Sequence, residues 1–136
     1  MAYEESLRSI SLNADASLAV YTGVPGTPGS ANPNYGRQYR FVKVTGANQV
    51  GLATAEADVV IGVMQNKPQV NGQAATVAIH GVSMVMAGAA FDAGDAVTAD
   101  SEGRAVSGGT AGTERGIALA AAGQANELVP VLLQVS

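Results

Sequence analysis

The chain has 136 residues, seven bases against eleven acids, and neither cysteine nor tryptophan. That length admits one domain with a real core and not comfortably two. Without cysteine there are no disulfides or thiolate metal sites, and a net charge of −4 argues against general nucleic-acid binding.

Hydrophobic residues make up 47% of the chain, but only two Phe and four Tyr are among them. A core of small residues buries modest area per residue, so contact with other copies or a partner would add useful burial. The start, Met1-Ala2-Tyr3-Glu4-Glu5, lacks a basic region followed by an apolar run. No stretch approaches the ~20 apolar residues of a membrane span. A soluble protein made in the cytoplasm, with no membrane partner, is expected.

In chain order, residues 1–21 carry sparse apolar marks at Leu7, Ile10, Leu12, Leu18 and Val20. Helix and strand are both arguable there, and the alternation in Ser9-Ile10-Ser11-Leu12 favours an extended piece. Residues 22–36 hold three prolines and four glycines, which no regular element survives. The first 36 residues are therefore expected to be an arm and loop, with residues 37–136 as a β-rich body.

Tyr39–Thr45 reads as a strand closed by Gly46-Ala47-Asn48, and Val59–Gln65 as a short buried strand. Asn71-Gly72 predicts a two-residue hairpin turn, because both residues tolerate positive φ. Its arms would be Val63–Val70, interrupted at Pro68, and Ala74–His80, with Ser83–Met86 following. A turn is expected at Asp100-Ser101-Glu102-Gly103 between Val97 and Val106, then a loop over Ser107–Thr113. Ile117–Ala122 and Leu128–Val135 form the last pair, although Ala118–Ala122 also suits one helical turn. Val129, Val131, Leu133 and Val135 share a face, and Pro130 suggests an edge strand or a bulge.

One pattern recurs. Gly62-Val63-Met64 precedes Gly72-Gln73-Ala74 and Val77-Ala78-Ile79; Gly116-Ile117-Ala118-Leu119 precedes Gly123-Gln124-Ala125 and Leu128-Val129-Pro130-Val131. Two related hairpins are expected. Short strands punctuated by glycine turns predict a mainly β fold: a single small sandwich- or barrel-like (β-tulip-like) domain with an extended N-terminal arm.

Residues with reactive potential are few. His80 is the only histidine, and the Gly-x-Ser-x-Gly elbow of a Ser-His-Asp hydrolase is absent. Asp92, Asp95, Asp100 and Glu102 lie close in sequence but miss the spacing of a calcium loop. Gly108-Gly109-Thr110-Ala111-Gly112-Thr113 lacks the Lys-Ser/Thr of a phosphate loop. A swinging-arm carrier needs a lysine at a hairpin tip, where this chain has Asn71-Gly72 and Lys67 lies farther back. No enzyme, metal or cofactor is expected. Arg37, Arg40 and Lys43 form a basic cluster that suits a solvated face or a local contact.

The ordered set Tyr39-Arg40-Phe41-Val42-Lys43, Ile61–Pro68, Gly72–Ile79, Gly81-Val82-Ser83, Ala93–Val97, Gly103–Val106 and Gly116–Leu119 resembles the capsid cement, or head decoration, proteins of tailed bacteriophages. The resemblance spans roughly three quarters of the chain and leaves out the segment before Arg37. It implies a virion protein on the outer capsid surface that staples neighbouring major capsid protein subunits, commonly as a homotrimer at threefold or quasi-threefold positions. Leu7, Ile10, Leu12, Leu18, Val20, Arg37 and Arg40 are then candidate capsid contacts. Met84, Met86 and Phe91 are candidate self-association contacts, with burial in the core as the alternative. A cellular β-domain binding module without a phage role is the competing function.

Overall fold

The computed structural model describes residues 7–18, 37–68 and 71–134. They form ten strands: β1 Arg8–Ala14, β2 Phe41–Gly46, β3 Gln49–Leu52, β4 Val60–Met64, β5 Ala74–His80, β6 Val82–Met86, β7 Ala96–Ala99, β8 Ala105–Ser107, β9 Gly116–Ala118 and β10 Leu128–Leu133. No α-helix occurs among the described residues, so the helical alternatives fall away for residues 7–18 of the N-terminal segment and for Ala118–Ala122. The fold is mainly β: β1 to β5 close into a barrel and β6 to β10 form a second sheet.

The two halves share one topology. Read around the barrel from β1, the strand order is β1-β5-β4-β2-β3; the second sheet runs β6-β10-β9-β7-β8, the same order displaced by five strands. The barrel closes through a parallel pairing of β1 with β3, Asn13 to Gln49 and Ala14 to Val50. In the second unit a single parallel bridge, Ala87 to Ala105, stands in that place. Registers agree as well: Val63 faces Ala78 in the first unit and Ile117 faces Leu132 in the second, fifteen residues apart in each. Gly62 and Gly116 precede these positions. A Cβ on Gly62 would run into the Ala78 carbonyl oxygen, and one on Gly116 would lie 2.7 Å from the Leu132 carbonyl oxygen. The repeated glycine therefore marks equivalent places where two backbones come too close for a side chain.

Side-chain alternation builds two cores. Val42, Val50, Met64, Ala75 and Val77 fill the barrel together with Ala14 and Leu18. On the barrel's outer wall Phe41, Ala53, Val60, Val63 and Ala78 join Val85, Val97, Val129, Val131 and Leu133 of the second unit in one continuous cluster.

Four expectations need correction. Residues 7–18 belong to the body: β1 pairs antiparallel with β5 from Arg8 to Asn13, and Ala14 and Leu18 are fully buried. The physical reason is that β5 and β3 would otherwise each present an unpaired edge, and β1 covers both. Val20 and the segment 22–36 lie outside the described residues. Strand β3 was not expected. It forms because Asn48, at φ 54°, makes a tight turn that folds the chain back antiparallel on β2. The Asn71-Gly72 turn exists, with Gly72 at φ 92°, but the β4/β5 ladder ends at Met64–Val77, so the connection is longer than two residues. Its far end is tied to β1, where the Gly72 N–H donates to the Ala14 carbonyl at 2.8 Å. Finally, β10 lies between β6 and β9. Pro130 is tolerated because its nitrogen points to the β9 side, the side on which its carbonyl accepts from Leu119 N–H at 2.9 Å, and the paired stretch of β9 has ended at Ala118.

Candidate interaction surfaces

At the junction of the two units, Arg40 is buried, and one of its terminal nitrogens (Nη1) donates to the Glu102 carbonyl at 2.8 Å. Around it, Arg37 pairs with the Glu102 carboxylate at 3.6 Å and Arg104 at 3.0 Å; Arg104 also meets Asp100 at 3.0 Å. Burial, reinforced by repulsion from Arg37 and Arg104, brings the Arg40 guanidinium down to about 10, against the pull of Glu102 and Asp100. The Nε groups of Arg37 and Arg40 are buried without partners. This cluster ties the Asp100–Gly103 turn to the start of the barrel, where Phe41 N–H also donates to the Gly103 carbonyl at 2.8 Å. Arg40 is corrected as a capsid contact: its charge is spent on joining the two units.

The loops 53–59 and 108–115, equivalent in the duplicated topology, also meet. Thr110 donates through its hydroxyl to Glu56 at 2.9 Å, and Arg115 donates to the Asp58 carbonyl at 2.7 Å. Lys43 holds the Asp58 carboxylate at 2.9 Å. Burial alone would raise the Asp58 carboxyl, but hydrogen bonds from Lys43 and from the Thr54 and Ala55 N–H groups bring it below its usual range.

The outer face of the second sheet is chemically different. On β6, Ser83 and Val85 point inward while Val82, Met84 and Met86 point out; on β10, Val129, Val131 and Leu133 point inward while Leu128, Pro130 and Leu132 point out. Register makes these outward residues cross-strand neighbours: Leu128 with Met86, Pro130 with Met84, and Leu132 with both Val82 and Ile117. Met84 is 37% exposed, Leu128 44% and the adjoining Leu119 40%. Sequence reasoning named Met84 and Met86 but missed Leu128, Pro130, Leu132, Ile117 and Leu119. The available signal was a strand, Leu128–Leu133, apolar on both faces of its alternation.

The other candidates separate by burial. Leu7 and Ile10 are exposed on or beside β1, Leu12 is half-buried against the barrel core, and Arg37 is largely covered. Leu18 is buried in the barrel core, and Phe91, 6% exposed, packs in the shared core and bridges to Ala122. Leu18 is therefore a core residue and not an exposed contact, and Phe91 takes the core position that was its alternative. His80 ends β5, exposed opposite Arg8. Among the described residues no group of three or more acids and histidine is placed to hold a metal ion.

No curated protein sequence matches the chain. A similar solved structure is the crystal structure of the N base of head fiber gp8.5 of bacteriophage phi29. The TM-score is 0.67 at 19% identity, over 96% of this chain and 97% of that one. At that identity the likeness shows a common fold. The phage cement protein family model matches residues 37–133, so the chain belongs to that family and is a structural protein of the phage head.

Proposed function

We propose that this protein binds the outer surface of the assembled head and staples neighbouring major capsid protein subunits, acting as a homotrimer at threefold or quasi-threefold positions. One observation carries the reading. Two buried apolar clusters make the cores, yet Leu7, Ile10, Met84, Leu119 and Leu128 stay 37–44% exposed. Exposed apolar side chains that lie side by side, as Met84, Leu119 and Leu128 do on one sheet face, mark surface offered to a partner, whereas singly exposed ones do not. A cement protein needs shape, area and a partner in many copies, because modest contacts repeated over a shell add through multivalency. Leu7, Ile10 and Arg37 remain candidate shell contacts beside the barrel.

The test uses heads lacking the protein, with purified chain added back. Cryo-electron microscopy should show density on the outer surface at threefold or quasi-threefold positions, and decorated heads should rupture at a higher temperature than bare ones. Bare heads at saturating protein would refute the reading. Light scattering tests the trimer separately: a monomer both in solution and on the shell would remove it.

A further inference from the structure

We infer that the outward face of β6, β10 and β9 is the surface that seats on the head shell, against an uncharged apolar patch there. This rests on the proposed shell-binding function and says which surface performs it. The outward positions on these strands, among them Met84, Met86, Leu128, Pro130, Leu132 and Ile117, include no ionisable group. Elsewhere the described surface is mixed, with Arg37, Arg104, Asp100 and Glu102 at the junction and Lys43 and Asp58 by the barrel.

Size selects the occupant. Three strands ~4.8 Å apart, of five, six and three residues at ~3.3 Å each, present a face of at most roughly 14 by 20 Å. A stable free-standing protein pair needs about 800 Å² from each partner. The face is several-fold too small to hold two copies together by itself, so the methionines expected to mediate self-association are better matched to a shell. There each weak contact is one of many held in register, and the sum decides occupancy. Methionine suits such a seat, since its unbranched thioether adapts to an irregular apolar surface. An uncharged contact also has little to lose to ionic screening.

The experiment measures binding of the full chain to undecorated heads by co-sedimentation over a salt series. Met84→Asp and Leu128→Asp should each weaken binding at least ~10-fold by placing a charge in an apolar contact. Val59→Asp, at the most exposed of the described large apolar residues but on the β3–β4 loop, should bind as wild type. Wild-type affinity should change little between low and high salt. Met84→Ser and Leu128→Ser, which remove apolar area without adding charge, should weaken binding in the same order, and they serve if an aspartate variant fails to fold. Folded double variants that decorate heads like wild type would overturn the assignment while leaving the proposed function standing. Variants that instead dissociate a wild-type oligomer in light scattering would overturn it in favour of a contact between copies. Wild type that never binds heads would remove both this inference and the function beneath it.

Discussion

Asp15 follows the last residue of β1 and ties the turn after that strand to β2. Its carboxylate accepts from the Ser17 N–H at 2.8 Å, the Ser17 hydroxyl at 2.6 Å and the Thr45 hydroxyl at 2.8 Å. The Ser17 hydroxyl oxygen in turn accepts from the Leu52 N–H at 2.8 Å, linking β1 to β3. Burial tends to raise this carboxyl, but the hydrogen bonds outweigh it and hold the group below its ordinary value of 3.8. Because folding lowers its pKa, its contribution is fully present above 3.8 and is lost as pH falls through the folded value. Asp58 acts in the same direction on the β3–β4 loop. Asp15→Asn should therefore cost about 1–2 kcal/mol near neutral pH, the ~1.5–3 kcal/mol of hydrogen bonds to a charged group reduced by solvent screening at this exposed site. Denaturant titrations should show the gap to wild type narrowing below pH 3.8. A gap that stayed constant through the acid range would mean that the carboxylate's charge is idle.

The element that most changes the picture is β1. Its sequence alternates only weakly, because Ser9, Ser11 and Asn13 are exposed and just Leu12 and Ala14 turn toward the core. Read alone, such a segment resembles an arm; in the fold it is the fifth stave of a barrel. Removal of residues 1–18 should abolish cooperative folding, because it exposes the edges of β3 and β5 and strips Ala14 and Leu18 from the barrel core. Thermal melts followed by circular dichroism would show a broad, weak transition. A sharp transition close to that of wild type would restore the arm. The glycine that heads each apolar run, by contrast, was legible in the sequence, because a glycine demanded by backbone approach leaves a fixed mark in a strand. Gly62 and Gly116 recur for that reason and the two hairpins they head are equivalent, but the Gly-Gln-Ala triplets do not superpose: the register that matches Val63 with Ile117 sets Gly72 against Asn126, both at positive φ. The parallel closure of β1 on β3 was not legible, since nothing local in either strand encodes a pairing across more than thirty residues. The apolar sheet face was half visible: Met84 and Met86 stood out, whereas Leu128, Pro130 and Leu132 were hidden in a strand that is apolar on both sides.

At the scale of the whole molecule, two units of one topology are joined by a core that belongs to neither. Phe41 opens β2 of the barrel, yet its fully buried side chain packs in the cluster that holds Val85, Val97 and Val131 of the second sheet. Its backbone crosses the same boundary, donating to the Gly103 carbonyl at 2.8 Å. The second unit is not a closed barrel; its interior is completed by the outer wall of the first. Neither half can then keep its packing when the other opens, and the two should unfold together. Phe41→Ala tests this, since removing a buried phenylalanine costs about 3–5 kcal/mol, a large part of the ~5–15 kcal/mol that a domain commands. Calorimetry should give one transition moved to lower temperature, with calorimetric and van't Hoff enthalpies in agreement. Hydrogen exchange should accelerate by a similar factor in β4 and β5 of the barrel and in β9 and β10 of the second sheet. Exchange that accelerates only in the second sheet, with β4 and β5 still protected, would show two units folding independently. A rigid two-unit body also bears on decoration: a contact made by β6, β10 and β9 is then transmitted to the barrel, and to the exposed Leu7 and Ile10 beside it, without loss in a hinge.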